Sequence, residues 1–258
     1  MRAEAIVDLS AIKFNVEMLK KTSGTKLLAV VKADAYGHGL IPVAQAALSA
    51  GADYLGVALL EEAVTLREAG ISAPILAWLV QPGSDFAQAI ALDIDIAAAS
   101  LKALSEISSA SLQVQKKARV HLEVDTGMTR GGFLAEWDQL GAEHVQDIEI
   151  VGVFSHFARA DEPAEKQNQD QMARFTEMVA KLEALGFSHL IKHLSNSAAT
   201  LKNRAAAFDM VRTGIAMYGL SPDVTTLGNS SALSLRPAMQ LRAALYLVKD
   251  VPAGTPVG

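Results

Sequence analysis

The sequence contains no cysteine, which excludes disulfides, thiolate nucleophiles and cysteine-ligated zinc at once. It has no basic surplus either. Lys and Arg number 23 against 28 Asp and Glu, a formal net charge of −5. A protein that grips a phosphate backbone usually carries the opposite balance, so no nucleic-acid partner is expected. No stretch reaches the about 18 uninterrupted apolar residues that a membrane-crossing helix requires. The opening MRAEAIVDLS has no apolar run behind its basic residue, so it does not read as a secretory leader. The six histidines show no HxxH or HExxH spacing, so no metal is expected. Internal repeats and low-complexity segments are also missing. What remains is 258 residues, 50% of them hydrophobic and 20% charged, enough to bury a large core. That profile suits a cytoplasmic α/β protein of one or two domains.

Short apolar runs alternate with longer amphipathic ones. Eight runs read as buried strands: residues 26–31, 54–58, 75–79, 93–97, 119–124, 150–155, 190–194 and 208–212. Near-continuous apolar strands suit a parallel sheet covered on both faces. Between them lie helical patterns. In 9–21, Leu9, Ile12, Val16 and Leu19 share one stripe, with Ser10 placed to cap it. In 164–185, Met172, Phe175, Met178, Val179 and Leu182 recur at helical spacing. Segments 40–50, 59–69, 84–91 and 99–109 follow suit. Eight strands alternating with helices favour a (β/α)8 barrel, with an open doubly wound sheet as the competitor.

Two segments stand outside the repeat. Residues 3–8 read as an extra strand before the first helix. Residues 235–250 read as one long strand with partial alternation, followed by the turn-like VPAGTPVG. A long strand needs a partner, and none follows it in the sequence. The expected division is a barrel over 1–231 and, over 232–258, the opening of a second, β-rich domain cut short.

The chemistry-bearing residues gather where strands end. Lys32 follows the apolar LLAVV and opens VKADAYGHG. A lysine at the mouth of a buried strand loses water, which favours the neutral amine that Schiff-base chemistry needs, although such a lysine can also simply reach solvent. The loop after it carries Tyr36, Gly37, His38 and Gly39, with a hydroxyl and backbone N–H groups for an anion. Alternation in HLEVDTGMTRGG places His121, Glu123 and Asp125 on one strand face. Arg130 in the following loop could fold back onto Glu123 as a bidentate pair; the plainer alternative is a surface salt bridge. His156 ends the sixth strand. Asn196 and Ser197 lead into a short helix, and Arg212 ends the eighth strand just before Gly214 and Ile215. Each signal alone is weak. Together they fall at one face of a barrel, the face where active sites form, with phosphate commonly held after strands seven and eight. A Schiff-base lysine beside a phosphate cup suggests pyridoxal phosphate.

AVVKADAYGHG, VDTGMTR, SHFARAD, SNSAAT and VRTGIAMYG stand in that order over nearly the whole chain. In this the sequence resembles the alanine racemases, pyridoxal-phosphate enzymes of fold type III. The resemblance implies the following roles. Lys32 holds the cofactor covalently and acts as the base toward D-alanine. Tyr36, Ser197 and the Gly214 and Ile215 amides hold the phosphate, with Asn196 beside them. Arg212 hydrogen-bonds the pyridine nitrogen, and His156 packs against the ring. Arg130 lies near the ring hydroxyl and the substrate carboxylate.

Two positions depart from the pattern. Glu123 stands where many relatives have a lysine, often carbamylated; it brings the negative charge directly, so it can still orient Arg130. Trp78, placed against the cofactor, stands where leucine is common. The resemblance also implies a homodimer whose second base is a tyrosine just beyond Gly258, so this chain alone is expected to lack racemase activity. Rival readings are a single-domain pyridoxal-phosphate homeostasis protein, a racemase of broader substrate range, a metal-dependent aldolase relative and a non-catalytic barrel.

Overall fold

The structure of the protein, a computed structural model, describes residues 2–256. Strand β1 (Ala3–Val7) precedes helix α1 (Leu9–Ser23). The repeat then runs β2 (Lys26–Val30), α2 (Leu40–Ser49), β3 (Tyr54–Val57), α3 (Leu60–Glu68), β4 (Ile75–Ala77), α4 (Phe86–Ala91) and β5 (Ile94–Ala98). It continues with α5 (Leu101–Val114), β6 (Ala118–Glu123), β7 (Ile148–Phe154), α6 (Lys166–Ala184), β8 (Ile191–His193), α7 (Ser197–Lys202) and β9 (Met210–Thr213). All eight expected strands form. They pair in parallel in the order β8-β7-β6-β5-β4-β3-β2-β9. The seam between β8 and β9 is held by two backbone bonds, Asp209 N–H to Lys192 O (3.0 Å) and Arg212 N–H to Ser195 O (2.9 Å). The sheet is thus a nearly closed (β/α)8 barrel.

The chain's alternation sorts two cores. Leu27, Ala29 and Val31 pack outward against the helices, whereas Leu28 and Val30 join Tyr54, Leu76, Ala97, Phe154 and Met210 in a smaller inner cluster. Each fully buried leucine contributes about 1.5–3 kcal/mol. Glycine makes room inside the barrel at two strand positions. A Cβ on Gly56 would overlap Leu28 and Trp78, and one on Gly152 would overlap the His121 ring.

Two expectations need correction. Helix α1 is capped by Asp8, not Ser10. The Asp8 carboxylate accepts from the Ser10 N–H (2.8 Å) and the Ala11 N–H (3.3 Å); the Ser10 hydroxyl (2.6 Å), followed by these two backbone bonds, holds its pKa below the usual range. The expected long strand over 235–250 shrinks to β10 (Met239–Ala243). Upstream, the backbone of Arg236 is taken by Asn15 of α1, whose side chain accepts from its N–H and donates to its carbonyl (both 2.8 Å). Pro237 follows, with no N–H to give. Downstream, the ladder ends where its partner does. That partner is β1, antiparallel, in register from Ala3↔Ala243 to Val7↔Met239. The strand's mate therefore comes from the start of the chain. Gly258 lies outside the described residues.

Candidate active site

Strand β2 delivers Lys32 to the mouth of the barrel, where it sits half-buried. The next four residues, Ala33, Asp34, Ala35 and Tyr36, all take left-handed backbone angles, φ 51 to 54°. Such a turn costs L-residues about 1–2 kcal/mol each, so it must be held from outside. The Asp34 carboxylate accepts from the Leu40 N–H (2.7 Å), and Gly39 N–H reaches Asp34 O (3.0 Å). Glu62 of α3 accepts from the Ala33 N–H (2.6 Å) with one oxygen, and from the Ala58 and Leu59 N–H groups (2.9 and 3.0 Å) with the other. The turn brings the Tyr36 ring to 6.0 Å from the Lys32 Nζ and seats it 4.8 Å from the ring of Tyr218, whose hydroxyl donates to Val30 O (2.8 Å). Burial raises the pKa of the Tyr36 hydroxyl, so it stays a neutral donor.

Opposite Tyr36, β9 turns sharply. A Cβ on Gly214 would come within 2.6 Å of the Tyr36 hydroxyl, so only a glycine lets the backbone approach this closely. The Gly214 and Ala216 N–H groups donate to Ser197 Oγ (3.0 and 3.3 Å). The Ile215 N–H has no protein acceptor among the described residues. Asn196 caps α7, its side chain accepting from the Ala199 N–H (3.1 Å).

Arg212 is buried on β9, 6% exposed and 5.3 Å over the Phe154 ring. Its Nη1 donates to His193 O (2.6 Å) and His193 Nδ1 (3.2 Å). Its Nη2 donates to Ser155 O (2.6 Å) and His156 Nδ1 (3.2 Å). All four Nη hydrogens are thereby occupied, and only Nε is left for the cavity. Burial pushes the guanidinium's pKa down to about 10, still well above neutrality. His156 accepts from this cation and is buried beside it, which lowers its pKa to about 3 and keeps it neutral.

The eleven residues expected to hold cofactor or substrate line one cavity of about 360 Å³: Lys32, Tyr36, Trp78, Glu123, Arg130, His156, Asn196, Ser197, Arg212, Gly214 and Ile215; Gly37, His38, Gly39, His121 and Asp125 do not line it. A family model described as "Alanine racemase, N-terminal domain" matches residues 7–222. The chain belongs to the alanine racemase family. It is 46% identical over 262 residues to the alanine racemase of Salinispora tropica, covering 99% of this chain and 69% of that one. The Mycobacterium tuberculosis alanine racemase is 45% identical over 259 residues, covering 98% and 66%. Among solved structures, alanine racemase from the D-cycloserine-producing Streptomyces lavendulae superposes with a TM-score of 0.95 at 43% identity, over 100% of this chain and 69% of that one. The Clostridium difficile 630 enzyme in complex with cycloserine gives 0.86 at 34%, over 97% and 70%.

The alanine racemase family uses pyridoxal phosphate, and the cavity's donor set fits it. Hydroxyls and an unpaired backbone N–H stand at one end, suited to a phosphate. A guanidinium with one uncommitted N–H lines the cavity, suited to a ring nitrogen that accepts. A lysine amine lines the same cavity, suited to an aldehyde.

One expected alanine racemase contact is not formed. No ion pair joins Glu123 to Arg130 among the described residues. The loop between them winds around Asp125, whose carboxylate accepts from the Gly127, Met128 and Thr129 N–H groups (2.8–3.1 Å). The returning chain then sets Gly131 against Glu123, and Arg130 stays exposed. Burial raises the Glu123 pKa, opposed by Arg212 and Arg130. Several lining residues were not foreseen. Met128, Phe157, Ala158 and Asp161 lie inside the quoted motifs, so their position was readable. Val30 and Ala198 likewise lie inside quoted motifs, whereas Phe154 and Pro222 lie outside them.

Proposed function

We propose that this cavity holds pyridoxal phosphate and serves the interconversion of L- and D-alanine. The observation that carries the reading is Arg212, with every Nη hydrogen committed to the protein and Nε alone left for a ligand. When bound, the cofactor supplies an electron sink that acidifies the substrate's Cα–H. Lys32 Nζ would hold the cofactor and, once substrate displaces it, take up or return the Cα proton on its own side. The Tyr36 and Ser197 hydroxyls and the Gly214–Ile215 turn would bind the phosphate. Arg212 Nε would donate to the ring nitrogen without surrendering its proton, because a guanidinium does not act as an acid near neutral pH. By keeping its proton, Arg212 would leave the ring nitrogen uncharged and so favour return of the proton to Cα over loss of the amine. His156 and Trp78 would flank the ring. Arg130 would meet the substrate carboxylate, and Glu123 would supply a compensating negative charge.

Inversion requires a second base on the other face. Among the described lining residues Lys32 is the one amine, and Tyr36 is the one tyrosine, placed at the phosphate end. We therefore assign the second base to a partner subunit in a homodimer, with residues 232–258 opening a second, β-rich domain after the 1–231 barrel. On this reading the present chain exchanges the Cα proton of D-alanine without net racemisation. In its setting the reaction would supply D-alanine for peptidoglycan in the cytoplasm. Borohydride reduction of the chain with pyridoxal phosphate, followed by peptide mass mapping, tests the assignment. A pyridoxyl group on Lys32 alone supports it; adducts scattered over several lysines refute it.

A further inference from the structure

Inside the barrel, beneath the cavity, polar side chains form one continuous chain of hydrogen bonds. Arg212 on β9 meets His193 on β8, Nη1 to Nδ1 at 3.2 Å. His193 meets His121 on β6, Nε2 to Nδ1 at 2.8 Å. His121 meets Asp95 on β5, Nε2 to Oδ2 at 3.3 Å. Asp95 also accepts from Arg119 Nε (2.8 Å) and from the Tyr54 hydroxyl (3.3 Å). Both imidazoles are fully buried, and Asp95 is 1% exposed.

The protons along this chain can run in one direction only. A guanidinium has donors and no acceptor, so His193 must offer a lone pair at Nδ1 and carry its proton on Nε2. That proton faces His121 Nδ1, which must accept it. The His121 proton then lies on Nε2, facing the Asp95 carboxylate, which has acceptors only. The cation at one end and the anion at the other impose the same sense on every link.

We propose that Asp95 is a positioning residue for the racemase site. Acting through His121 and His193, it fixes the imidazole tautomers that receive Arg212 and so holds the guanidinium with Nε toward the cofactor. Its link to the cofactor rests on the pyridoxal-phosphate reading; the tautomers themselves do not. Asp95→Asn exposes the logic. Arg119 only donates, so the new amide must turn its oxygen to Arg119 and its NH2 to His121. Both imidazoles must then invert, and two N–H groups face each other between His193 and Arg212.

The test is 15N NMR of the histidine rings in the full chain without cofactor, near neutral pH, assigned by single-histidine variants. The expected result is the Nε2–H tautomer at His121 and at His193. An Nδ1–H tautomer at either ring, or a doubly protonated His121, overturns the proposal. In Asp95→Asn both rings should switch to Nδ1–H, and affinity for pyridoxal phosphate should fall about tenfold, the cost of one unpaired buried donor. Unchanged tautomers in the folded variant overturn the proposal; if the variant does not fold, the wild-type spectrum decides alone. Failure of wild-type Lys32 to be trapped by borohydride would instead defeat the cofactor reading and leave the tautomer result standing.

Discussion

Glu62 touches no part of the cavity's lining, yet its replacement should disable Lys32. One carboxylate receives three backbone N–H groups, from Ala33 (2.6 Å), Ala58 (2.9 Å) and Leu59 (3.0 Å). It thereby joins the start of α3 to the left-handed turn that follows Lys32. The four residues of that turn carry an intrinsic cost of about 4–8 kcal/mol, at about 1–2 kcal/mol each. A hydrogen bond to a charged acceptor contributes about 1.5–3 kcal/mol when buried. These three are partly solvated, so about 2 kcal/mol in total is the reasonable loss for Glu62→Ala. In a chain of this size that lowers Tm by about 4–8 °C. The loss falls on the turn itself, so Lys32 and Tyr36 should lose their fixed spacing before the barrel melts. Thermal unfolding followed by circular dichroism measures the first effect. The yield of borohydride-trapped pyridoxyl-Lys32 at fixed cofactor concentration measures the second. Glu62→Gln keeps one acceptor oxygen and should fall between wild type and Glu62→Ala. A Glu62→Ala protein with wild-type Tm and wild-type trapping would refute the claim that the turn depends on this carboxylate.

Gly214→Ala should spare stability to within about 1 kcal/mol, since the site is at a cavity wall and the backbone there is not left-handed. The new Cβ would lie 2.6 Å from the Tyr36 hydroxyl and push it aside, so affinity for pyridoxal phosphate, read by fluorescence titration, should drop at least tenfold; unchanged affinity would show that Tyr36 is not a phosphate donor. Stability should also depend on pH through His156. Its folded pKa of about 3 lies below the unfolded value of 6.5, so above pH 6.5 it contributes no pH dependence. As pH falls from 6.5 toward 3 the unfolded chain takes up a proton that the folded site refuses, and stability drops by up to about 5 kcal/mol, at about 1.4 kcal/mol per pH unit. Urea unfolding at stepped pH should show that slope, and His156→Asn, which keeps an acceptor for Arg212 but cannot titrate, should flatten it; an identical slope in the variant would refute the assignment.

What the sequence made legible follows from which interactions are local. Strands announce themselves as unbroken apolar runs, and all eight were found within a few residues of their observed bounds. The site residues were legible because parallel barrels put every strand's end at one face, so Lys32, His156 and Arg212 could be grouped without knowing any distance. Interactions set by the return path of a loop were not legible. Glu123 and Arg130 have opposite charges at a plausible spacing, but Asp125 gathers the loop's N–H groups and sets Gly131, not Arg130, against Glu123. Strand β10 was overextended for a similar reason, since Asn15 lies more than two hundred positions away and claims the backbone of Arg236.

The buried chain from Arg212 to Asp95 was the least visible feature, although each member broke an apolar pattern. Asp95 interrupts IDIAA, and His193 sits at the end of a strand. A buried carboxylate or imidazole is costly unless it is paired, so each such interruption predicts a partner without naming it. The barrel's inner face is where those demands meet. β5, β8 and β9 bring Asp95, His193 and Arg212 to this network, β6 brings both Arg119 and His121, and Gly152 on β7 gives up its side chain to admit the His121 ring. Charged or polar residues that break the inward pattern of several barrel strands therefore form a set to be solved together. Here the solution is a single line of donors that begins at the guanidinium under the cavity and ends at a carboxylate paired with Arg119.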